Sequence, residues 1–338
     1  MQEVENITPR FVVVVGASAG GLHAIIELCA QLNKRMDAAV LIVLHISKMS
    51  MAQILMARIQ KSTSFTCKVP SEGEKILRHH IYMAPENKHL VVREDQMLLG
   101  GGPAESMWRP SIDVLFRSAA ASFGNRTIGI ILTGLLQDGT AGMQTIKKCG
   151  GITIVQDPEE AEYADMPMSV LQNVPVDYSV GLAEMGALLE EKTANGLPPS
   201  YPVPPDVLTE AAIAEKVSVG IPIVAQLGTN SLFSCPDCGG GLWEINDGQL
   251  TRFRCHIGHS YTARDLALKQ ADQLEATIWI AVRMMEERRQ LLEKMALEER
   301  TKGWHQSAIR KEERIGELVT HIERLKYLIF DIEKESAL

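Results

Sequence analysis

The chain has 338 residues, 46% of them hydrophobic and 22% charged, the balance of an ordinary globular protein, which excludes a disordered or fibrous chain. A formal charge of −8 leaves no broad cationic surface for nucleic acid. The polar, acidic start and the short apolar runs predict no secretion signal, no membrane insertion and a cytoplasmic location.

From Phe11 to about Glu191, short β-branched runs alternate with helical patterns. FVVVV at 11–15, VLIVLH at 40–45, TIGIILTG at 127–134 and ITIV at 152–155 are near-continuous apolar strands, as in a parallel sheet covered on both faces. Helices are predicted at about 20–33, 50–60, 111–123 and 139–149. This βα rhythm predicts a doubly wound, mostly parallel α/β fold. Several short strands within 65–99 interrupt it, and they predict an antiparallel excursion at one sheet edge.

Pro198, Pro199, Pro202, Pro204 and Pro205 crowd the segment that follows, which reads as a stiff linker. The expected domains are an α/β catalytic domain at 10–192, a Pro-rich linker at 193–232, a zinc-ribbon-like module at 233–262, and a helical hairpin or coiled coil at 263–335. In the last, Leu274, Ile278, Ala281, Met285 and Leu292 recur at helical spacing, and Gly303 marks the turn. Such helices suit self-association or partner docking, against the plainer reading of a solvated hairpin covering its own seam.

The first strand runs into Gly16-Ala17-Ser18-Ala19-Gly20-Gly21 and then into a helix. Small residues around Ser18 permit a sharp turn that projects the hydroxyl, and the helix N-terminus favours a developing oxyanion. The same turn could cradle a phosphate. However, there is no Gly-Lys-Ser/Thr, strand two ends in His45 where a ribose-binding acid would stand, and neither Tyr82 nor Tyr163 is followed by lysine at the dehydrogenase spacing. His45 closes one strand and Asp138 follows another, so three strand ends carry a serine, a histidine and an aspartate. In an open α/β sheet the carboxyl ends of the strands form the functional crevice. This placement predicts Ser18 as nucleophile, His45 as general base and Asp138 as its orienting acid.

VVVVGASAGGLHAI, the strand ending in His45, YMAPENKHL, RPSIDVLF, ILTGLLQDGTAG and DMPMSVL resemble, in order, the motifs of the catalytic domain of CheB, the chemotaxis protein-glutamate methylesterases. The resemblance covers roughly residues 10–192. It implies hydrolysis of γ-glutamyl methyl esters on chemoreceptor helices with release of methanol, and in some members deamidation of receptor glutamines. It implies no catalytic cofactor, and a partner that is a methylated chemoreceptor or a similar helical signalling protein. Nucleophile, base and acid fall on Ser18, His45 and Asp138, while His89, Arg109, Pro110 and Ser111 match motifs near the cleft. Two departures stand out: the catalytic pattern begins at Phe11 without a preceding receiver domain, and the family's Thr-Gly-Met-Gly reads Thr133-Gly134-Leu135-Leu136. The altered loop supports a competing expectation, a catalytically weakened scaffold that binds receptor or partner proteins.

Of the six cysteines, Cys29, Cys67 and Cys149 lie singly in apolar context and read as buried thiols. Cys235-Pro-Asp-Cys238 is followed, after sixteen residues, by Cys255-His-Ile-Gly-His259. That spacing suits a structural, tetrahedral zinc on Cys235, Cys238, Cys255 and His259. His256, adjacent to Cys255, would point away from a metal held there. The intervening segment reads as a two-stranded ribbon turning at Asp247-Gly248.

Overall fold

The computed structural model describes residues 8–45, 51–194, 196–215, 220–248 and 250–336, with side chains described up to residue 332. Its contacts divide the chain after Ala263 into two compact units.

At the centre of the first unit is a seven-stranded sheet of order β10-β9-β8-β1-β2-β5-β3. Its strands are β1 (Phe11–Ala17), β2 (Ala38–Leu44), β3 (Thr66–Lys68), β5 (His80–Met83), β8 (Thr127–Ile131), β9 (Ile152–Gln156) and β10 (Tyr178–Val180). Every neighbouring pair runs parallel. In β1 and β2 all seven residues are buried, which is why their sequences show no polar alternation.

Val13 and Val15 face α1 (Gly21–Ala30), α2 (Ala52–Ile59) and α6 (Leu182–Ala194). Val12 and Val14 face the opposite layer, which holds α3 (Ile112–Phe123), α4 (Thr140–Lys148) and α5 (Asp165–Asn173). Each such side chain removed from water contributes about 1.5–3 kcal/mol. The helix after β1 lies on one face and the helix after β8 on the other, although β1 and β8 are neighbours. A crevice therefore opens at their carboxyl ends.

The interruption at 65–99 resolves differently from the expected edge excursion. β3 and β5 extend the main sheet in parallel, while β4 (Glu74–Lys75), β7 (Gln96–Gly100) and β6 (His89–Arg93) form a separate three-stranded antiparallel sheet. Leu90, Val92 and Met97 of that sheet are buried in the same core as α3. A strand pair with one apolar face must cover it, and α3 offers the free surface.

The proline-rich stretch ends in a helix, α7 (Pro205–Glu215), with Pro205 at its start, where a missing amide costs nothing. Val207 joins the core around α3, and Ala214 packs on Val91 and Val114. The segment read as linker thus contains a packed element, followed by the short helix α8 (Ile221–Val224). The proline density masked it, because proline breaks helices everywhere except their first turn.

The cysteine segment forms a four-stranded antiparallel sheet, β11 (Thr229–Ser234), β12 (Gly241–Asp247), β13 (Leu250–Cys255) and β14 (Ser260–Thr262). It is wider than the expected two-stranded ribbon, and it is built into the first unit rather than tethered to it. Arg254 of β13 makes a two-pronged pair with Glu105, at 3.0 and 2.6 Å, and Arg117 of α3 meets the same carboxylate at 2.7 Å. Arg252 pairs with Glu210 of α7 at 2.9 and 2.8 Å, and Arg117 reaches that acid as well, at 3.3 Å. All five side chains are buried. Burial opposes ionisation of Glu105, but the Arg117 and Arg254 guanidinium groups overcome it and hold the carboxyl down at about 2. Removing one member of such a cluster leaves a buried charge unpaired, at a cost of about 3–5 kcal/mol.

In the second unit, α9 (Ala263–Thr301) and α10 (His305–Ser336) are joined by a turn with Gly303 at φ 80°. Ile278, Val282, Ile322 and Ile329 form its core. Arg300–Glu312 and Lys311–Glu299, each at 2.7 Å, close the hairpin near its turn.

Candidate active site

The register of the parallel sheet builds the crevice. Ala17 of β1 lies opposite Leu44 of β2, and the amide of His45 donates to the carbonyl of Ala17, so the next residue on each strand, Ser18 and His45, emerges at the same edge. On the other flank, the Ser18 amide donates to Thr133 O at 3.1 Å, at the end of β8. Gly134 is needed there: a Cβ would sit 2.2 Å from Met166 Sδ and 2.8 Å from Ser18 Cβ. Gly20 turns the chain into α1 at φ 72°.

His45 and Asp138 are joined by a hydrogen bond between Nε2 and Oδ2 of 2.9 Å, with both side chains buried. Asp138 itself is fixed by the start of α3. Oδ2 also accepts from the Ile112 amide at 2.7 Å, and Oδ1 accepts from Ser111 Oγ at 3.0 Å and the Asp113 amide at 3.1 Å. A carboxylate at the N-terminus of a twelve-residue helix satisfies amides that have no partner within the helix. The other imidazole nitrogen, Nδ1, is buried and has no hydrogen-bond partner among the described residues. With Nε2–H held by the aspartate, Nδ1 is the ring's free proton acceptor.

Ser18, His45, Leu44, His23, Arg58 and Glu162 line one open cleft of about 370 Å³. Ser18 Oγ makes no hydrogen bond among the described residues. Contacts between nucleophile and base are commonly loose until substrate is bound.

Sequence reasoning missed two residues that frame this centre. Trp108 stacks flat on His45, with centroids 4.1 Å apart and planes 8° from parallel. Asp113 is buried behind Asp138, accepting the amides of Gly139 at 3.0 Å and Gly142 at 2.7 Å on Oδ1, with Oδ2 3.2 Å from Ser106 Oγ. Burial and the neighbouring Asp138 charge push its carboxyl up to about 8. An acid on the inward face of the helix IDVLF was its available signal; Trp108 had none, since only the folded chain brings it to His45.

The residues matched to motifs near the cleft anchor loops. His89 Nε2 donates to Pro103 O at 2.8 Å and Nδ1 accepts the Ser111 amide at 3.2 Å, while burial lowers the proton affinity of the ring. Arg109 binds Asn87 Oδ1 and the carbonyl of Gly102. Pro110 lies between Arg109 and Ser111, and Ser111 holds Asp138 directly.

Leu136 adopts φ 67°, the left-handed region that favours glycine, at the position where the resemblance placed a glycine. The backbone path beside the acid is thus kept at a cost of about 1 kcal/mol. Leu136→Gly removes that strain and also loosens the unfolded chain, so the two effects oppose. We expect a thermal midpoint within a few degrees of the parent and kcat within about threefold, measured by calorimetry and ester hydrolysis.

Away from the cleft, the ligand atoms of Cys235, Cys238, Cys255 and His259 all lie within 4.8 Å of one another. The set could hold a metal ion. His256 is not in the cluster; its ring meets Trp243 edge to face at 6.4 Å. Burial raises the thiols of Cys67 and Cys149 to about 11 and that of Cys29 further still, which disfavours the thiolate form in all three.

The doubly wound sheet, with serine, histidine and aspartate gathered at its switch point, defines the class as an α/β protein with a hydrolase-like crevice. The family model for the CheB methylesterase matches residues 13–189, and the chain belongs to that family. A putative protein-glutamate methylesterase/protein-glutamine glutaminase of Leptospira interrogans is 35% identical over 186 residues, 55% of this chain and 96% of that protein. A protein-glutamate methylesterase/protein-glutamine glutaminase of Photorhabdus laumondii is 34% identical over 188 residues, which are 54% of this chain and 53% of that one. The crystal structure of the Thermotoga maritima CheB methylesterase catalytic domain superposes with a TM-score of 0.52 at 27% identity, covering 55% of this chain and 100% of the other. The cysteine cluster and the C-terminal helices lie outside the matched residues.

Proposed function

We propose that this protein is a serine hydrolase that removes the methyl group from glutamate γ-methyl esters on chemoreceptors or related helical signalling proteins, with glutamine deamidation as a second activity of the same centre. The names carried by its relatives support the substrate class. The observation that carries the mechanism is the buried, unpartnered Nδ1 of His45, on a residue that lines the same cleft as Ser18 while Asp138 holds Nε2.

In this reading Ser18 Oγ attacks the ester carbonyl as its proton passes to His45 Nδ1. Asp138 stabilises the resulting imidazolium and keeps the tautomer in which Nδ1 is the base. Collapse of the tetrahedral intermediate expels methoxide, which takes the proton from His45 and leaves as methanol. Water, deprotonated by the same nitrogen, then releases the glutamate and regenerates Ser18. A glutamine side chain would follow the same course and release ammonia. No cofactor enters these steps.

The test is incubation of the full chain with methylated receptor helices. Methanol release that is blocked by a fluorophosphonate reacting at Ser18 is the expected result. Intact esters, together with retained binding of the helices, would instead establish the scaffold reading supported by the altered Leu135-Leu136 loop.

The ribbon is read as a structural zinc site on Cys235, Cys238, Cys255 and His259. Three thiols and one imidazole are the donor set of a closed tetrahedral site. Hydrogen bonding from Cys255 lowers the Cys235 thiol against its burial, which favours the thiolate form that a metal binds. Self-association through α9 and α10 is supported by Ile280, Met284, Leu291 and Tyr327, all exposed on the hairpin. Among the described residues no helix is long and apolar enough to cross a membrane, and we read the protein as cytoplasmic.

A further inference from the structure

The segment that carries Trp108 is a tight turn in an unfavourable conformation. Glu105 and Trp108 exchange backbone hydrogen bonds of 3.2 and 2.9 Å, and the two residues between them, Ser106 and Met107, both have positive φ, 49° and 68°. A hairpin turn of that kind ordinarily takes asparagine or glycine. Here neither residue is of that type, and strain of this sort persists only where surrounding contacts fix it.

Arg117 and Asp113 of α3 hold part of the turn, at the Glu105 carboxylate and at Ser106 Oγ, and the rest is held by the ribbon. Arg254 grips the Glu105 carboxylate at both oxygens, the Ser106 amide donates to Ser260 O at 2.8 Å, and Glu105 forms a parallel bridge with Ser260. Arg254 and Ser260 directly flank two residues of the cysteine cluster, Cys255 and His259. The Cys255 amide donates to the His259 carbonyl at 3.0 Å, and Arg254 pairs with Ser260, so the four residues belong to one hairpin of β13 and β14 that carries two members of the cluster. From there the path to the active centre is short: cluster, Arg254 and Ser260, the turn at 105–108, Trp108, His45.

We infer that Trp108 is a positioning residue for His45 and that the Cys3His ribbon, once it holds zinc, is the clamp that keeps Trp108 in place, so that hydrolysis at Ser18 depends on the metal state of the ribbon. The inference rests on the hydrolase and zinc readings above and adds to them a link from the matched region to a ribbon that lies outside it. When the ribbon loses zinc, β13 and β14 lose the cross-link that aligns Arg254 with Ser260. The strained turn then relaxes, and the indole no longer restrains the rotation of the imidazole about the bond to Asp138. Misplacing a general base by about 1 Å costs on the order of 100-fold in rate.

The experiment uses the full chain, with three readouts: kcat and KM for ester hydrolysis, zinc per chain, and the NMR position of the His45 ring protons, assigned by comparison with His45→Gln. An imidazole stacked on an indole is shifted upfield by the ring current. Trp108→Ala should bind one zinc as the parent does, lose the upfield shift, and lower kcat on the order of 100-fold with KM little changed. Trp108→Phe should restore most of the rate. Chelation of zinc from the parent should abolish the shift and lower kcat to a similar extent, with both restored by zinc. Chelation of Trp108→Ala should cost less than about threefold more, because both changes remove the same restraint.

Arg254→Lys separates the clamp from the folding of the metal site: it should keep one zinc and lose the shift and the rate. A His45 resonance and kcat that do not respond to zinc, an absence of zinc binding, or fully additive losses in the Trp108→Ala and chelation pair would each overturn the inference. The His45 shift distinguishes its failure from that of the hydrolase reading. If Ser18→Ala left turnover intact, the nucleophile assignment would fall while a zinc-dependent shift would still report the clamp.

Discussion

Ser18→Ala will lower kcat by about a millionfold, Asp138→Asn by about ten-thousandfold, and the double variant by no more than Ser18→Ala alone. The inequality follows from the geometry. Without Ser18 there is no nucleophile, so the base and its acid have nothing to assist. Without the Asp138 carboxylate, Ser18 remains but His45 loses the acceptor that fixes Nε2–H. The Asn variant carries a further structural penalty. Oδ2 accepts from His45 and the Ile112 amide, and Oδ1 from Ser111 Oγ and the Asp113 amide. An asparagine has one oxygen, so in either orientation its NH2 group faces a backbone N–H. Each buried donor left without an acceptor costs about 1–3 kcal/mol. Steady-state kinetics and urea unfolding on the three variants measure both effects. Multiplicative losses in the double variant would show that Ser18 and Asp138 do not act in one relay.

Asp113→Asn should alter the pH dependence of stability more than any other single change near the cleft. Burial and the Asp138 charge push the Asp113 carboxyl up to about 8, whereas in the unfolded chain it titrates near its usual value of about 4. Between those two values the unfolded chain has released a proton that the folded protein retains, so stability falls as pH rises through this window. The variant abolishes that fall. Asparagine can accept the amides of Gly139 and Gly142 on its oxygen, and its NH2 group can donate to Ser106 Oγ with the hydroxyl turned to accept. Relative to the parent, it should therefore gain on the order of a few kcal/mol between pH 5 and pH 8, read from urea unfolding at both values. Parallel pH profiles for the two proteins would contradict a protonated Asp113.

The main sheet was legible because a strand covered on both faces must be apolar throughout, and FVVVV and VLIVLH state that without ambiguity. The helices between them were legible from amphipathic spacing, within a few residues at their ends. The segment at 65–99 was not, because β3, β4, β5, β6 and β7 are similar short runs whose partners are chosen by which surface remains uncovered. Helix α7 was hidden by the prolines before it, which mark a break and equally a helix start.

At the site, the placement of Ser18, His45 and Asp138 at strand ends was readable, because it follows from the local pattern. Apart from Ser111, the residues that hold them were not. Trp108, Asp113 and the ion cluster of Glu105, Glu210, Arg117, Arg252 and Arg254 join parts of the chain that are far apart in sequence. In the sequence each is an ordinary charged or aromatic residue. A buried charge must find a partner, but which partner depends on the surfaces that hydrophobic burial brings together.

By itself, then, the sequence determined the layered α/β core, the position of Ser18, His45 and Asp138 at strand ends and the spacing of the cysteine cluster, because each rests on periodicity or on contacts between near neighbours. Only the tertiary structure decided that the ribbon docks against α3 and α7, that Nδ1 of His45 is the free nitrogen, and that Trp108 stacks on that ring. Those features arise from long-range packing and paired buried charge, and no local pattern encodes them.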